Sequence, residues 1–272
     1  MNSYIEILKE LKKEYKERKD PYDIESLSKE GFKNICLQIL NDSNYTYVDK
    51  CLFISNIYTF KCQKNLMDII NGCIPFLEKN IESSNIDEDW IIDFYDKASK
   101  ISSDDFKTIW SRILAEEINK PTSISKRLLH NLFIMSKKDA ESFINLSRFC
   151  FYDAKSDEVY PIIFCREHPN AYKKSKITVD ILKELERLSL IECDFESGFA
   201  FKKETEYVEK HLIYTNHRIG IVSDKIKLGN VRLTSDGRKL FDIIEKHNNN
   251  LILDYTVDIW KQYGYNVTVY QR

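Results

Sequence analysis

Glycine and proline are scarce, seven and five in 272 residues. A β-sandwich with many turns uses both often, so their scarcity favours helices. Long apolar runs are missing too, and no stretch approaches the roughly 18 residues a membrane span needs. The first residues, MNSYIEILKELKKEYKERK, carry a charge every few positions, where a secretory signal needs an apolar core. Nor does one sign of charge dominate. Lys and Arg total 41 against 43 Asp and Glu, a net charge of −2. That excludes an overall electrostatic grip on nucleic acid and leaves only a local basic patch for it. These absences predict a soluble, cytoplasmic protein with no membrane segment.

The usual marks of catalysis are also absent. No glycine-rich phosphate loop, GxSxG or HExxH occurs, and the five histidines are scattered. His211 and His217 stand six apart, a spacing that suits neither a helix face nor a strand face. The seven cysteines include no CxxC pair. Cys51, Cys62 and Cys73 recur every 11 residues, which on one helix separates neighbours by roughly 16 Å. That is too far for a disulfide or a shared metal ion, so the thiols read as reduced, small residues on a packed face. The expectation is no enzyme, no metal and no cofactor. The one tempting acid pair is Glu116-Glu117. Glu117 follows Ile113 by four residues and falls on the apolar stripe, so it should be buried. A buried carboxylate is costly without a partner. Arg127, Lys126 and His130 lie across the Pro121 turn, and Arg127 can satisfy both oxygens at once.

What is present is a hydrophobic content of 43%, 12% of the residues being aromatic, enough for a real core. Residues 1–46 read as two helices, 3–19 and one ending near Leu40, closed by the loop Asn41–Asn44. Residues 47–77 read as one long helix or two in tandem, with apolar residues nearly all round, and so buried on several sides. The stretch 87–146 divides into four apolar-periodic segments. Ser102 with Asp105, and Ser136 with Asp139, fit capping boxes, and Pro121 with Ser123 or Ser125 marks the third break. Trp90, Phe94, Trp110, Ile113, Leu129 and Leu132 fall on the stripes, which predicts a helical bundle over 47–150 with Trp110 near its centre. At Cys150 the texture changes. FCFYDAKSDEVYPIIFC reads as two strands around a polar turn. A helix over 178–188 and a strand over 190–193 follow, then short strands, a Gly229-Asn230 turn and a helix capped by Thr234. A helix over 251–262 and a strand over 265–270 close the chain. The fold expected is mainly α, with an N-terminal and central helical bundle and a C-terminal α+β domain over 151–272.

The central residues resemble an uncharacterised bacterial family, domain of unknown function 2806. The resemblance rests on Lys64-Asn65-Leu66 with Ile69, on Asp87-Glu88-Asp89-Trp90, and above all on WSRILAEE at Trp110–Glu117. It continues through Pro121, Ser123, Ser125, Leu129, Leu132 and Met135-Ser136 to Asp139-Ala140. The Trp–x–x–Ile–Leu–Ala pattern followed by a Ser/Asp-capped helix is also similar, more loosely, to bacterial abortive-infection alpha proteins, which implies a place in phage defence. Neither resemblance implies catalytic residues. ITVDILKELERLSLIE and NVRLTSDGRKLF resemble the recognition helix, wing strand and closing strand of a winged helix, with about 35 residues between the two pieces. In that setting Lys173, Lys174, Lys176, Lys183 and Arg187 are the candidate nucleic-acid contacts, interleaved with Asp180, Glu184 and Glu186. The functional expectation is a non-enzymatic protein of phage defence or stress response acting through protein contacts, with itself or a defence-system component. The alternative is a winged-helix DNA-binding regulator.

Overall fold

The computed structural model describes residues 32–78, 86–202, 208–245 and 250–271. The helix expected over 3–19 lies outside them. The chain divides into two compact units, with the break between Leu129 and His130.

The first unit holds α1 (Phe32–Asn41), the 27-residue α2 (Tyr47–Cys73), a 3₁₀ turn (Ile74–Phe76), α3 (Glu88–Ala98), α4 (Asp104–Asn119) and the start of α5 (Lys126–Ile134). Local chemistry sets the ends. Thr46 and Asp49 form a reciprocal capping box at the start of α2, and the Trp90 N–H donates to Asp87 Oδ1 at 2.8 Å to start α3. The Leu128 N–H donates to Ser125 Oγ at 2.9 Å, so Ser125 is the serine that starts α5. The cap expected at Ser102 is not used. Helix α4 begins after Ser103, whose side chain makes no capping bond, with Asp104 and Asp105 left in the first turn to meet the helix dipole.

The core of this unit gathers on Trp110, which is fully buried with its ring 5.4 Å from that of Phe94, itself stacked on Trp90. The C-terminal half of α2 packs on α4 and α3. Gly72 permits that approach. A Cβ there would meet Ser111 Oγ at 2.5 Å, and the Ser111 hydroxyl donates to the Ile69 carbonyl at 2.8 Å. The first four turns of α2 depart from the expected burial on several sides. The buried residues of this helix are Asn65, Ile69, Ile70 and Cys73, all toward its end. Cys51 is accordingly exposed and Cys62 half-buried, with only Cys73 in the core.

The second unit opens with the rest of α5 and with α6 (Lys137–Ser147), whose Ser136–Asp139 capping box is present as expected. Then come β1 (Cys150–Asp153), β2 (Val159–Pro161), α7 (Pro169–Lys173), α8 (Val179–Arg187), β3 (Ile191–Cys193), β4 (Phe199–Lys202), β5 (Val208–Tyr214) and β6 (His217–Ser223). β7 (Lys225–Gly229), β8 (Val231–Leu233), α9 (Ser235–Ile243), α10 (Asn250–Gln262) and β9 (Asn266–Gln271) complete it. A five-stranded antiparallel sheet runs β2-β1-β5-β6-β9, and β3–β8 and β4–β7 make two small antiparallel ladders. This overturns the mainly-α expectation. Among the described residues 54% are helical and 19% lie in strands, a mixed α+β fold. The reason lies in the stretch of about 35 residues between the two winged-helix-like pieces. They supply β5 and β6, a hairpin of two seven-residue strands that pairs with β1 on one side and β9 on the other, so separate strands become one sheet.

Two polar knots lock this unit. Gly229 has φ 104°, and a Cβ there would lie 2.1 Å from the Ile163 carbonyl oxygen, so only glycine fits the turn. Buried Asn230 then donates its N–H to Ile163 at 2.7 Å and its amide to Asp194, and accepts from the Arg166 N–H. In the second knot, Asp153 is buried on β1 and accepts from Lys210 Nζ at 2.7 Å and from the Lys155 N–H at 2.8 Å. The Lys210 ammonium also lies 4.3 Å over the Phe201 ring, an arrangement that adds cation–π attraction. Burial alone would raise the Asp153 carboxyl, but the bonds from Lys210 and Lys155 and the Lys210 charge hold it below its ordinary 3.8. A carboxylate depressed in the folded state stabilises above the unfolded value, and loses that contribution as pH falls through the folded one. Asp153→Asn should therefore flatten the acid limb of the stability–pH curve below about pH 4, leaving its neutral limb parallel to wild type. Denaturant midpoints taken across that range measure it, and an unchanged acid limb would contradict it.

Candidate functional site

The five basic candidates are all exposed, and they split into two groups. Lys173 ends α7, Lys174 caps it, and Lys176 occupies the left-handed turn (φ 57°) that leads to α8. Lys183 and Arg187 sit one turn apart on α8. Thr178 caps that helix, its hydroxyl oxygen accepting from the Ile181 N–H at 3.3 Å. Arg187 pairs with Glu184, and Glu186 accepts the Cys193 N–H at 2.7 Å. The exposed face of α8 thus carries Asp180, Lys183, Glu184 and Arg187, two charges of each sign. A surface that tracks phosphate needs an excess of one.

Glu117 is 1% exposed, as its place on the stripe requires. Sequence reasoning missed two of its partners. The Thr122 N–H donates to Oε1 at 2.7 Å and the Ile124 N–H to Oε2 at 2.8 Å. Trp90 meets the same turn from the other side, its indole N–H donating to the Ile124 carbonyl at 2.9 Å. Thr122 has φ 67°, an uncommon conformation for a β-branched residue. The carboxylate and the indole therefore pin a strained turn between α4 and α5. This is an assignment of structure: both oxygens face backbone donors of their own chain.

Two of the thiols are held in their neutral form. Burial pushes Cys73 up to about 12 and, with the nearby Glu186 carboxylate, Cys193 up to about 12. A thiol must ionise to attack or to bind metal. No group of three or more His, Cys, Asp or Glu among the described residues could hold a metal ion. A shallow cleft of about 250 Å³ between α2 and α4 is lined by Asp68, Gly72, Phe76, Asp104, Lys107 and Ser111. Its one cation, Lys107, is already taken by Asp68 at 2.7 Å.

The feature that burial does not explain is the outer face of α2. Tyr47, Val48, Leu52 and Tyr58 are 81%, 64%, 58% and 46% exposed. With exposed Cys51 and half-buried Cys62 they share one side of the helix over 16 residues, roughly 24 Å at 1.5 Å per residue. The motif Tyr-x-x-x-Cys occurs at 47–51 and again at 58–62. Each tyrosine lies one turn before its cysteine, and the nearby thiol raises the phenol above its ordinary value. A repeat of 11 residues is 3.67 per turn, close to the helix's own period, so the face hardly wanders round the axis. Leu37, Leu40 and Tyr45, on α1 and the loop after it, are exposed as well, and the Lys50 ammonium ties α2 to the Leu40 carbonyl at 2.8 Å. The 11-residue spacing was visible in the sequence. That this face would be left exposed was not.

No helix among the described residues is long and apolar enough to cross a membrane. No curated protein and no solved structure is significantly similar to the chain. A family model described as a protein of unknown function, DUF2806, matches residues 56–256. That span takes in the second half of α2, the whole of α3 to α9, the clamped turn and all but the last strand of the sheet. The chain belongs to the DUF2806 family.

Proposed function

We propose that this protein acts without catalysis in bacterial phage defence or stress response, through contact with another protein made by the outer face of α2. The supporting observation is that face: four turns of helix with Tyr47, Val48, Leu52 and Tyr58 outward. Exposed apolar patches beyond scattered single residues mark contact surfaces, and aromatic residues are over-represented in them. The occupant we assign is an amphipathic helix of the partner. A straight face with an 11-residue repeat suits a rod laid alongside it, with anchors at three- and four-residue steps. The defence setting rests on the likeness of WSRILAEE and the Ser136-capped helix to abortive-infection alpha proteins. Plating efficiency of phage on cells with and without the gene tests it. Protection is expected from wild type and lost in Leu52→Glu. Equal plating of both strains over a broad phage panel would remove the defence reading.

A DNA-binding regulator is the second reading, carried by exposed Lys173, Lys174 and Lys176. With so few cations unopposed, binding is expected to be weak, sequence-tolerant and strongly salt-dependent, the logarithm of affinity falling by about 0.9 per phosphate neutralised per log unit of salt. Electrophoretic titration at physiological salt measures it. Tight, site-specific binding that disappears in Lys183→Ala/Arg187→Ala would reverse the order of the two readings.

A further inference from the structure

We infer that β9 is a pairing edge for a second copy of this chain, joining two five-stranded sheets into one of ten strands. The inference stands on a different surface from α2 and does not depend on it. The two edges of the sheet are built differently. At one end, β2 is three residues long and finishes in Pro161, which has no N–H to offer a neighbour and blunts that edge. At the other end, β9 runs six residues as Asn-Val-Thr-Val-Tyr-Gln, with no charge, proline or bulge, and pairs only with β6 among the described strands. Five of its six residues are exposed and the sixth, Val267, is half-buried, so neither face of the strand is fully covered. In a chain with 31% charged residues, an uncharged open edge is the arrangement that usually invites strand addition.

The sequence of the strand favours itself as the occupant. In the register with β6, Val267 and Val269 lie opposite Ile221 and Ile219, both fully buried, so the core face of the sheet reaches β9 and stops there half-covered. Antiparallel pairing of two β9 strands about a two-fold axis at Thr268 sets Val267 against Val269 of the second copy, and Val269 against its Val267. Thr268 then meets Thr268, and Asn266 meets Tyr270. Every valine stays on the apolar face and every polar partner on the other, whereas a shift of one residue would mix them. β-Branched and Thr–Thr cross-strand pairs are among the favourable ones, and a two-fold interface of this kind closes on itself.

The test is the solution mass of the full chain by sedimentation across a concentration series. The expected result is a concentration-dependent rise from the 32.2 kDa monomer to twice that mass. Thr268→Lys sets two ammonium groups face to face on the axis, and Thr268→Glu two carboxylates. Each alone should remain monomeric where wild type is dimeric, and an equimolar mixture should recover the dimer. Hydrogen exchange of the β9 amides in wild type gives a second reading that needs no variant: protection should rise with protein concentration in β9 and not in β5. A wild type that stays monomeric throughout, a dimer that both charged variants leave intact, or β9 protection independent of concentration would each overturn the inference.

Discussion

Trp110→Ala is expected to cost about 3–5 kcal/mol, the range for truncating a large buried aromatic. The side chain is fully buried beside Phe94 and shares its helix face with Ile113 and Leu114. Removing it leaves a void that Phe94 cannot fill without abandoning its stack on Trp90, whose indole N–H holds the Ile124 carbonyl. The loss therefore spreads to the α4–α5 turn and is not confined to the missing surface. The midpoint of denaturant unfolding should fall while the slope stays as in wild type. A melting temperature unchanged by the substitution would contradict the core as described.

Glu117→Ala should cost about as much, roughly 3–5 kcal/mol, for a different reason. Two hydrogen bonds to a charged acceptor are lost at once, each worth about 1.5–3 kcal/mol, and the Ile124 N–H is left buried without an acceptor. Glu117→Gln keeps an oxygen for one donor and turns an amide N–H toward the other, so its cost should be intermediate. Pairing with Arg127 was the reason for expecting Glu117 to be tolerated in the core, and a double-mutant cycle with Glu117→Gln and Arg127→Met measures it. A coupling energy of 0.5 kcal/mol or more, on the scale of about 0.5–3 kcal/mol seen for neighbours in one network, is the expected outcome. Strict additivity would leave the clamp to the backbone donors and Trp90 alone.

Much of the local structure could be read from the residues because its causes are local. Ser136 with Asp139, Thr234 before Ser235, and the strands flanking the polar turn after Asp153 each depend on a few adjacent side chains, and each is present. The sheet was hidden because its pairings are not local. Asp153 opposes Leu212, and Ile219 opposes Val269, separations that periodicity does not report. Glu117 was found buried because the helical period puts it there. Two of its acceptor bonds were missed because backbone N–H groups carry no letter in a sequence. The signal available was a buried acid a few residues before a Pro-Thr turn. For α2, the apolar pattern runs the whole helix, yet only the half facing α4 and α3 is covered. Hydrophobic periodicity says that a face is apolar and is silent on what meets it.

That face carries the central claim, and site-specific photo-crosslinking at position 52 in the host cell tests it most directly. Leu52→Glu should change stability by no more than about 0.5 kcal/mol, since the side chain is 58% exposed. If Leu52 is an anchor worth about 2 kcal/mol, it should weaken partner binding roughly 30-fold. A crosslinker at residue 52 is then expected to give one discrete adduct, joined to an amphipathic helical segment of a single protein, lost when Val48→Glu is added and absent from the exposed control position 137. No adduct at 52, or the same diffuse products at 52 and 137, would contradict the account.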